Sequence, residues 1–127
     1  MREVVIDTET TGLDPQQGHR IVEIACLELI HHVPTGRRFH RYVNPERDIP
    51  ADAMAVHGLD GEFLSRHPPF AAIADELAAF IASDPLVIHN AEFDIAFINA
   101  ELARLGRGPL AHSFVDTLGV ARRRPDR

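Results

Sequence analysis

The chain has 127 residues, 45% of them hydrophobic and 25% charged, which suits one domain with a modest core. Its formal charge of −6, from 13 basic and 19 acidic residues, excludes a protein that grips nucleic acid through a broad basic surface. Cys26 is the sole cysteine, which excludes an internal disulfide, and no apolar run reaches membrane-spanning length. Met1-Arg2-Glu3 leads straight into the first strand and leaves no room for a signal peptide, so the cytoplasm is the expected location, with no membrane partner.

Taken in order, residues 3–7 form the first predicted strand, carried by the aliphatic run Val4-Val5-Ile6. It delivers Asp7-Thr8-Glu9-Thr10-Thr11-Gly12. Asp7 and Glu9 are two apart and share one face if the strand persists that far. Carboxylates converging at the end of a buried strand repel each other and cost desolvation, so a cation is needed. With no Lys or Arg inside the motif, a divalent metal is the leading candidate, and an all-oxygen donor set suits Mg²⁺ or Mn²⁺. The alternative is a solvated strand end whose acids and hydroxyls only cap a turn.

Residues 13–19 read as a polar loop, and Ile21–Ile30 as a second, largely buried strand interrupted by Glu23 and Glu28. Pro34-Thr35-Gly36 is the expected turn before a third strand over 38–43, and His31-His32 an ordinary strand end. A short helix is expected over 51–56, stopped at His57-Gly58. Pro68-Pro69 introduces a helix over 70–82 with Ile73, Leu77, Phe80 and Ile81 on one face. Leu86-Val87-Ile88 is a short buried strand, and Asn90 an N-cap for a helix running to about Leu105. Phe114-Val115-Asp116 is a last strand before a helix starting at 117–122, and Arg122-Arg123-Arg124 reads as a solvated end. A meander followed by strand–helix alternation gives an α/β domain with a mixed sheet.

The second informative motif is His89-Asn90-Ala91-Glu92-Phe93-Asp94. On a helix Asp94 shares a stripe with Ile98, Leu102 and Leu105, so it points inward near a strand end. One reading is a carboxylate that only favours the helix N-terminus, worth ~1 kcal/mol. Combined with Asp7 and Glu9, the better reading is a three-carboxylate metal site suited to phosphoryl transfer. No D-x-D-x-D-G loop is present to suggest a structural Ca²⁺ site.

These motifs resemble the DEDD exonuclease superfamily, in its DEDDh branch, and are most similar to the proofreading epsilon subunits of bacterial DNA polymerase III. The residues that carry the resemblance are Asp7-Thr-Glu9-Thr-Thr-Gly12, Ile21-Val-Glu-Ile24, Val56-His57-Gly58, Val87-Ile-His89-Asn90-Ala-x-Phe93-Asp94 and Asp116-Thr-Leu118. The resemblance covers essentially the whole chain. It implies an RNase H-like fold, a five-stranded mixed sheet flanked by helices. It also implies that Asp7, Glu9 and Asp94 are catalytic and hold two Mg²⁺ or Mn²⁺ ions. Asp52 and His57, with Asp7 and Glu9, would contact the terminal nucleotide. The implied activity is 3′→5′ exonucleolysis of a single-stranded or frayed DNA 3′ end, releasing nucleoside monophosphates in partnership with the polymerase III catalytic subunit.

One departure matters. The family's third motif, H-x-x-x-x-D, should lie beyond Asp116 and its helix, and the chain stops at Arg127. The expectation is therefore an incomplete exonuclease domain over 1–127, without the general base and fourth carboxylate, and with apolar sheet surface uncovered. His112 and Asp116 are not accepted as substitutes, nor His89 as a stand-in base; Asp116 is expected to support the sheet and nearby loops. The alternatives are an inert module that binds metal, nucleotide or polymerase, and a 3′→5′ exoribonuclease.

Overall fold

Nine consecutive residues, Arg2–Thr10, form the central strand β1, longer at its C-terminal end than the sequence suggested. The structure is a computed structural model that describes residues 1–118. The helix expected over 117–122 and the arginine run therefore lie largely or wholly outside the described residues. β1 pairs antiparallel with β2 (Ile21–Ile30), which pairs antiparallel with β3 (Val33–Tyr42). On its other side β1 runs parallel to β4 (Leu86–Ile88), itself parallel to β5 (Phe114–Asp116). The sheet order is β3-β2-β1-β4-β5, the five-stranded mixed sheet expected.

The helices are α1 (Ala51–His57), α2 (Gly61–Leu64), α3 (Phe70–Ile81) and α4 (Ala91–Arg104). Both α3 and α4 pack on one face of the sheet. Val4 and Ile6 of β1, Ile24 and Cys26 of β2, Phe39 of β3 and Ile88 of β4 meet Ile73 and Leu77 of α3 and Phe97 and Ile98 of α4. Strand alternation sends Val5, Leu27, Val87 and Val115 to the other face, where they fall in one row across four strands. Leu27 and Val115 of this row are 44% and 45% exposed.

Two local expectations are corrected. The β2–β3 turn is not Pro34-Thr35-Gly36 but the two-residue loop His31-His32, between the paired Ile30 and Val33. Both histidines have positive φ, 51° and 67°, which is the backbone that lets a two-residue hairpin follow the strand twist. Pro34–Gly36 instead lie within β3, beside a register shift between Leu27 and Leu29. Asn90 holds the N-cap position of α4 as expected, but not by its side chain. It sits in the left-handed region at φ 63° and makes no capping bond; its N–H donates to Asp116 Oδ1 at 3.0 Å.

Candidate active site

The site begins where β1 outruns its neighbour on one side. β4 pairs only as far as Ile6, so Asp7, Thr8 and Glu9 project past the C-terminal end of the parallel strands. On the other side the register shifts between Glu9 and Thr10, a bulge that turns the chain away from β2. Thr8 shares the helix-facing side with Ile6, whereas Asp7 and Glu9 alternate to the opposite face. Asp7 is exposed and Glu9 half-buried.

Asp94 enters from the first turn of α4 and is 4% exposed, while Ile98 below it is 1% exposed, so the inward stripe read from spacing is real. Leu105, at its far end, is 36% exposed. The Thr8 hydroxyl donates to Asp94 Oδ1 at 2.9 Å. Burial pushes the Asp94 carboxyl up to about 7, against the Thr8 bond that lowers it, and the charges of Asp7, Glu9 and Asp116 push in the same direction as burial. Glu9 is raised as well, by burial first and then by Asp7, partly offset by His57. Among the described residues no arginine or histidine forms an ion pair with Asp7, Glu9 or Asp94. The donors thus have the chemistry of a hard-cation site and an uncompensated negative charge. They are not a preassembled shell: among the described residues no three His, Cys, Asp or Glu side chains stand close enough to hold one ion. Thr8 explains part of this, because it holds Asp94 on the helix side of the strand.

Beside the carboxylates lies an open groove of about 560 Å³, lined by Thr8–Asp14, Gln17 and His19 from β1 and the bend after it, by Pro50, Asp52, Ala53, Val56 and His57 at α1, and by Phe93 of α4. Asp52 and His57 are therefore brought to the same cleft as Glu9. Asp52 is exposed, its Oδ1 accepting from the Ala53 N–H at 3.1 Å. His57 Nδ1 accepts from the Leu59 N–H at 3.0 Å, so its Nε2 carries the proton in the neutral ring; Nε2 is buried without a protein partner. Gly58 closes α1 with φ 72°, the left-handed stop read from the sequence.

Sequence reasoning left three groove residues without a role. Leu13 and Val56 both line the groove, at 85% and 81% exposure; Leu13 stands alone in sequence, and Val56 entered only as part of the Val56-His57-Gly58 motif. His19 had no spacing to mark it. Its ring lies flat over Gly12, so close that a Cβ at Gly12 would collide with three ring atoms, which is why the motif ends in glycine. The remaining candidates fall elsewhere. His89 is exposed and pairs with Thr117 Oγ1 at 3.0 Å, and His112 Nε2 donates to the Ala82 carbonyl at 2.6 Å. Asp116 Oδ1 accepts from the N–H groups of Asn90 and Leu118, the supporting role expected of it.

An exonuclease family model, RNase_T, matches residues 4–124. The chain belongs to that exonuclease family. Among its relatives, the DNA polymerase III epsilon subunit of Rickettsia felis is 53% identical over 126 residues, covering 96% of this chain and 55% of that protein. The Escherichia coli K12 epsilon subunit is 42% identical over 130 residues, covering 96% and 54%. The chain thus spans about half the length of these relatives. The exonuclease fold matches exonuclease X in complex with 5′ overhanging duplex DNA at TM-score 0.72 and 29% identity, over 95% of this chain and 63% of that one. A metal-free E. coli exonuclease I complex with single-stranded DNA superposes at TM-score 0.87 and 19% identity, over 97% and 29%; this likeness concerns the RNase H-like fold alone.

Proposed function

We propose that the chain carries the metal-dependent 3′→5′ exonuclease function of a DNA polymerase III epsilon-type protein, with residues 1–127 belonging to its exonuclease domain. Its substrate is a single-stranded or frayed DNA 3′ end, its product a nucleoside monophosphate, and its role proofreading beside the polymerase III catalytic subunit. The observation that carries this is the buried Asp94 beside Asp7 and Glu9, negative charge without a cationic partner among the described residues, next to a nucleotide-sized groove. Family membership and the epsilon relatives support the choice of reaction and partner.

Asp7, Glu9 and Asp94 are the residues that would hold two Mg²⁺ or Mn²⁺ ions, which supply charge neutralisation at the phosphate and a more acidic water. The protein's own contribution is placement. Leu13 and Val56 flank the groove and would grip the terminal base or sugar, and His57 Nε2 is a neutral donor with no protein partner. Thr8 fixes the Asp94 carboxyl, and Asp52 lines the groove at α1. A paired end must give up stacking to reach such a cleft, so frayed mismatches enter more readily. Delivery by a polymerase also suits a net charge of −6. No helix among the described residues is long and apolar enough to cross a membrane, and a cytoplasmic location fits a replication role.

The test is nucleotide release from a 3′-labelled single strand in Mn²⁺. Asp7→Ala and Glu9→Ala should each lower the rate by about 10²- to 10⁴-fold, the range for losing an essential catalytic group. A second reading, a module that binds metal or nucleotide without cutting, is favoured by the lack of a preassembled ion shell among the described residues. Binding of Mn²⁺ without release above the two variants would select it.

A further inference from the structure

We infer that His19 is a substrate-binding residue of the groove, a neutral imidazole that donates from Nε2 to an acceptor on the sugar or base of the terminal nucleotide. The inference rests on the nucleotide-binding reading above and assigns a second donor to the groove that His57 also lines.

The argument runs through Thr11, which is 0% exposed. Its Oγ1 accepts from the Arg20 N–H at 3.0 Å and lies 2.9 Å from His19 Nδ1. A fully buried hydroxyl must place its proton on an acceptor, and the available one is His19 Nδ1. Nδ1 is thereby the accepting nitrogen, and the neutral ring carries its proton on Nε2. Among the described residues no group pairs with that Nε2, and it is not one of the buried unpartnered atoms. The ring is also rigidly set. It lies flat against Gly12, where no side chain intervenes, and Thr11 is itself pinned by its N–H to the Arg20 carbonyl at 2.9 Å. The result is an oriented, unused donor on a residue that lines the groove. Its partner is assigned to the nucleoside because the phosphate is placed at Asp7 and Glu9, on the strand side of Gly12.

The geometry makes the role separable from a structural one. In His19→Asn the amide oxygen reaches the Nδ1 position and keeps the Thr11 bond, but nothing replaces Nε2. In His19→Gln the amide reaches Nε2 and the Thr11 bond is lost. The measurement is titration of the whole chain, in Mn²⁺, with thymidine 5′-monophosphate and separately with thymidine, read by NMR. A two-bond ¹H–¹⁵N spectrum of the histidines assigns the tautomer in the same samples. Expected are an Nε2-protonated His19 whose signals move on titration, a loss of affinity of about 5- to 10-fold for both probes in His19→Asn, and an unfolding midpoint near that of the parent. His19→Gln should recover part of the affinity despite lower stability. An Nδ1-protonated ring, or unchanged affinity in His19→Asn, overturns the inference while leaving the nucleotide reading intact. Loss for the monophosphate but not for thymidine overturns the nucleoside assignment. No binding of either probe by the parent chain overturns the nucleotide reading, and this inference with it.

Discussion

Asp94 shows how a single carboxyl couples the site to stability. Burial first, then the charges of Asp7, Glu9 and Asp116, raise it to about 7 from an ordinary 3.8. The folded state therefore holds the proton more tightly than the unfolded chain. Its stabilising effect is fully present below about pH 4 and is lost as pH rises through about 7. In the metal-free protein this group alone makes the urea midpoint fall between those limits, and Asp94→Asn should flatten that segment of the profile. Adding Mn²⁺ at pH 8 should raise the midpoint of the parent chain and have little effect on Asp94→Asn, because the cation replaces the proton as the counter-charge. A parent profile that rises through this window would contradict the assignment. The inward position of Asp94 was legible because a stripe at offsets of four, eight and eleven residues needs no tertiary information. Its Thr8 partner was not, since the two residues are 86 positions apart.

At the scale of elements, one ion pair ties the site's framework together. Arg20, at the entry to β2, forms two parallel bonds to Glu101 of α4, Nε–Oε2 at 2.9 Å and Nη2–Oε1 at 2.7 Å. Glu101 Oε2 also accepts from the Ile21 N–H at 3.2 Å, and the carboxylate is 2% exposed. This clamp holds α4, and so Asp94, against the bend that carries Thr11 and Gly12. Removing one partner leaves a buried charge uncompensated, so Glu101→Ala should cost about 3–5 kcal/mol in urea unfolding. A loss below 1 kcal/mol would show that the helix is held by its apolar face alone. The elements themselves were largely readable. β2, β4 and α3 follow from aliphatic runs and 3.6-residue periodicity bounded by prolines. The hairpin turn was not: Pro34-Thr35-Gly36 has turn chemistry, whereas His31-His32 does not announce positive φ. Register decided the turn, because pairing Ile30 with Val33 leaves only two residues to close it.

For the molecule as a whole, the helices cover one face of the sheet and the apolar row Val5, Leu27, Val87 and Val115 lies on the other. The row ends on the three-residue edge strand β5, where Val115 is 45% exposed. Such a face favours association. Sedimentation should show concentration-dependent self-association of this chain, reduced by Leu27→Arg, which puts a charge at the middle of the row. A single monomeric species at all concentrations would refute it. The sequence by itself determined the order of the five strands and of α1, α3 and α4, the family, and the identity of the acidic residues, because periodicity, breakers and short motifs are local properties of the chain; α2 was not read from it. Only the tertiary structure decided which side of β1 each acid takes, that Thr8 meets Asp94, and that α1 and the 10–19 bend line one groove. Those facts depend on register and on packing between residues far apart in sequence. The same is true of His19, whose Nε2 became a directed donor only when folding set its ring on Gly12 and its Nδ1 on Thr11.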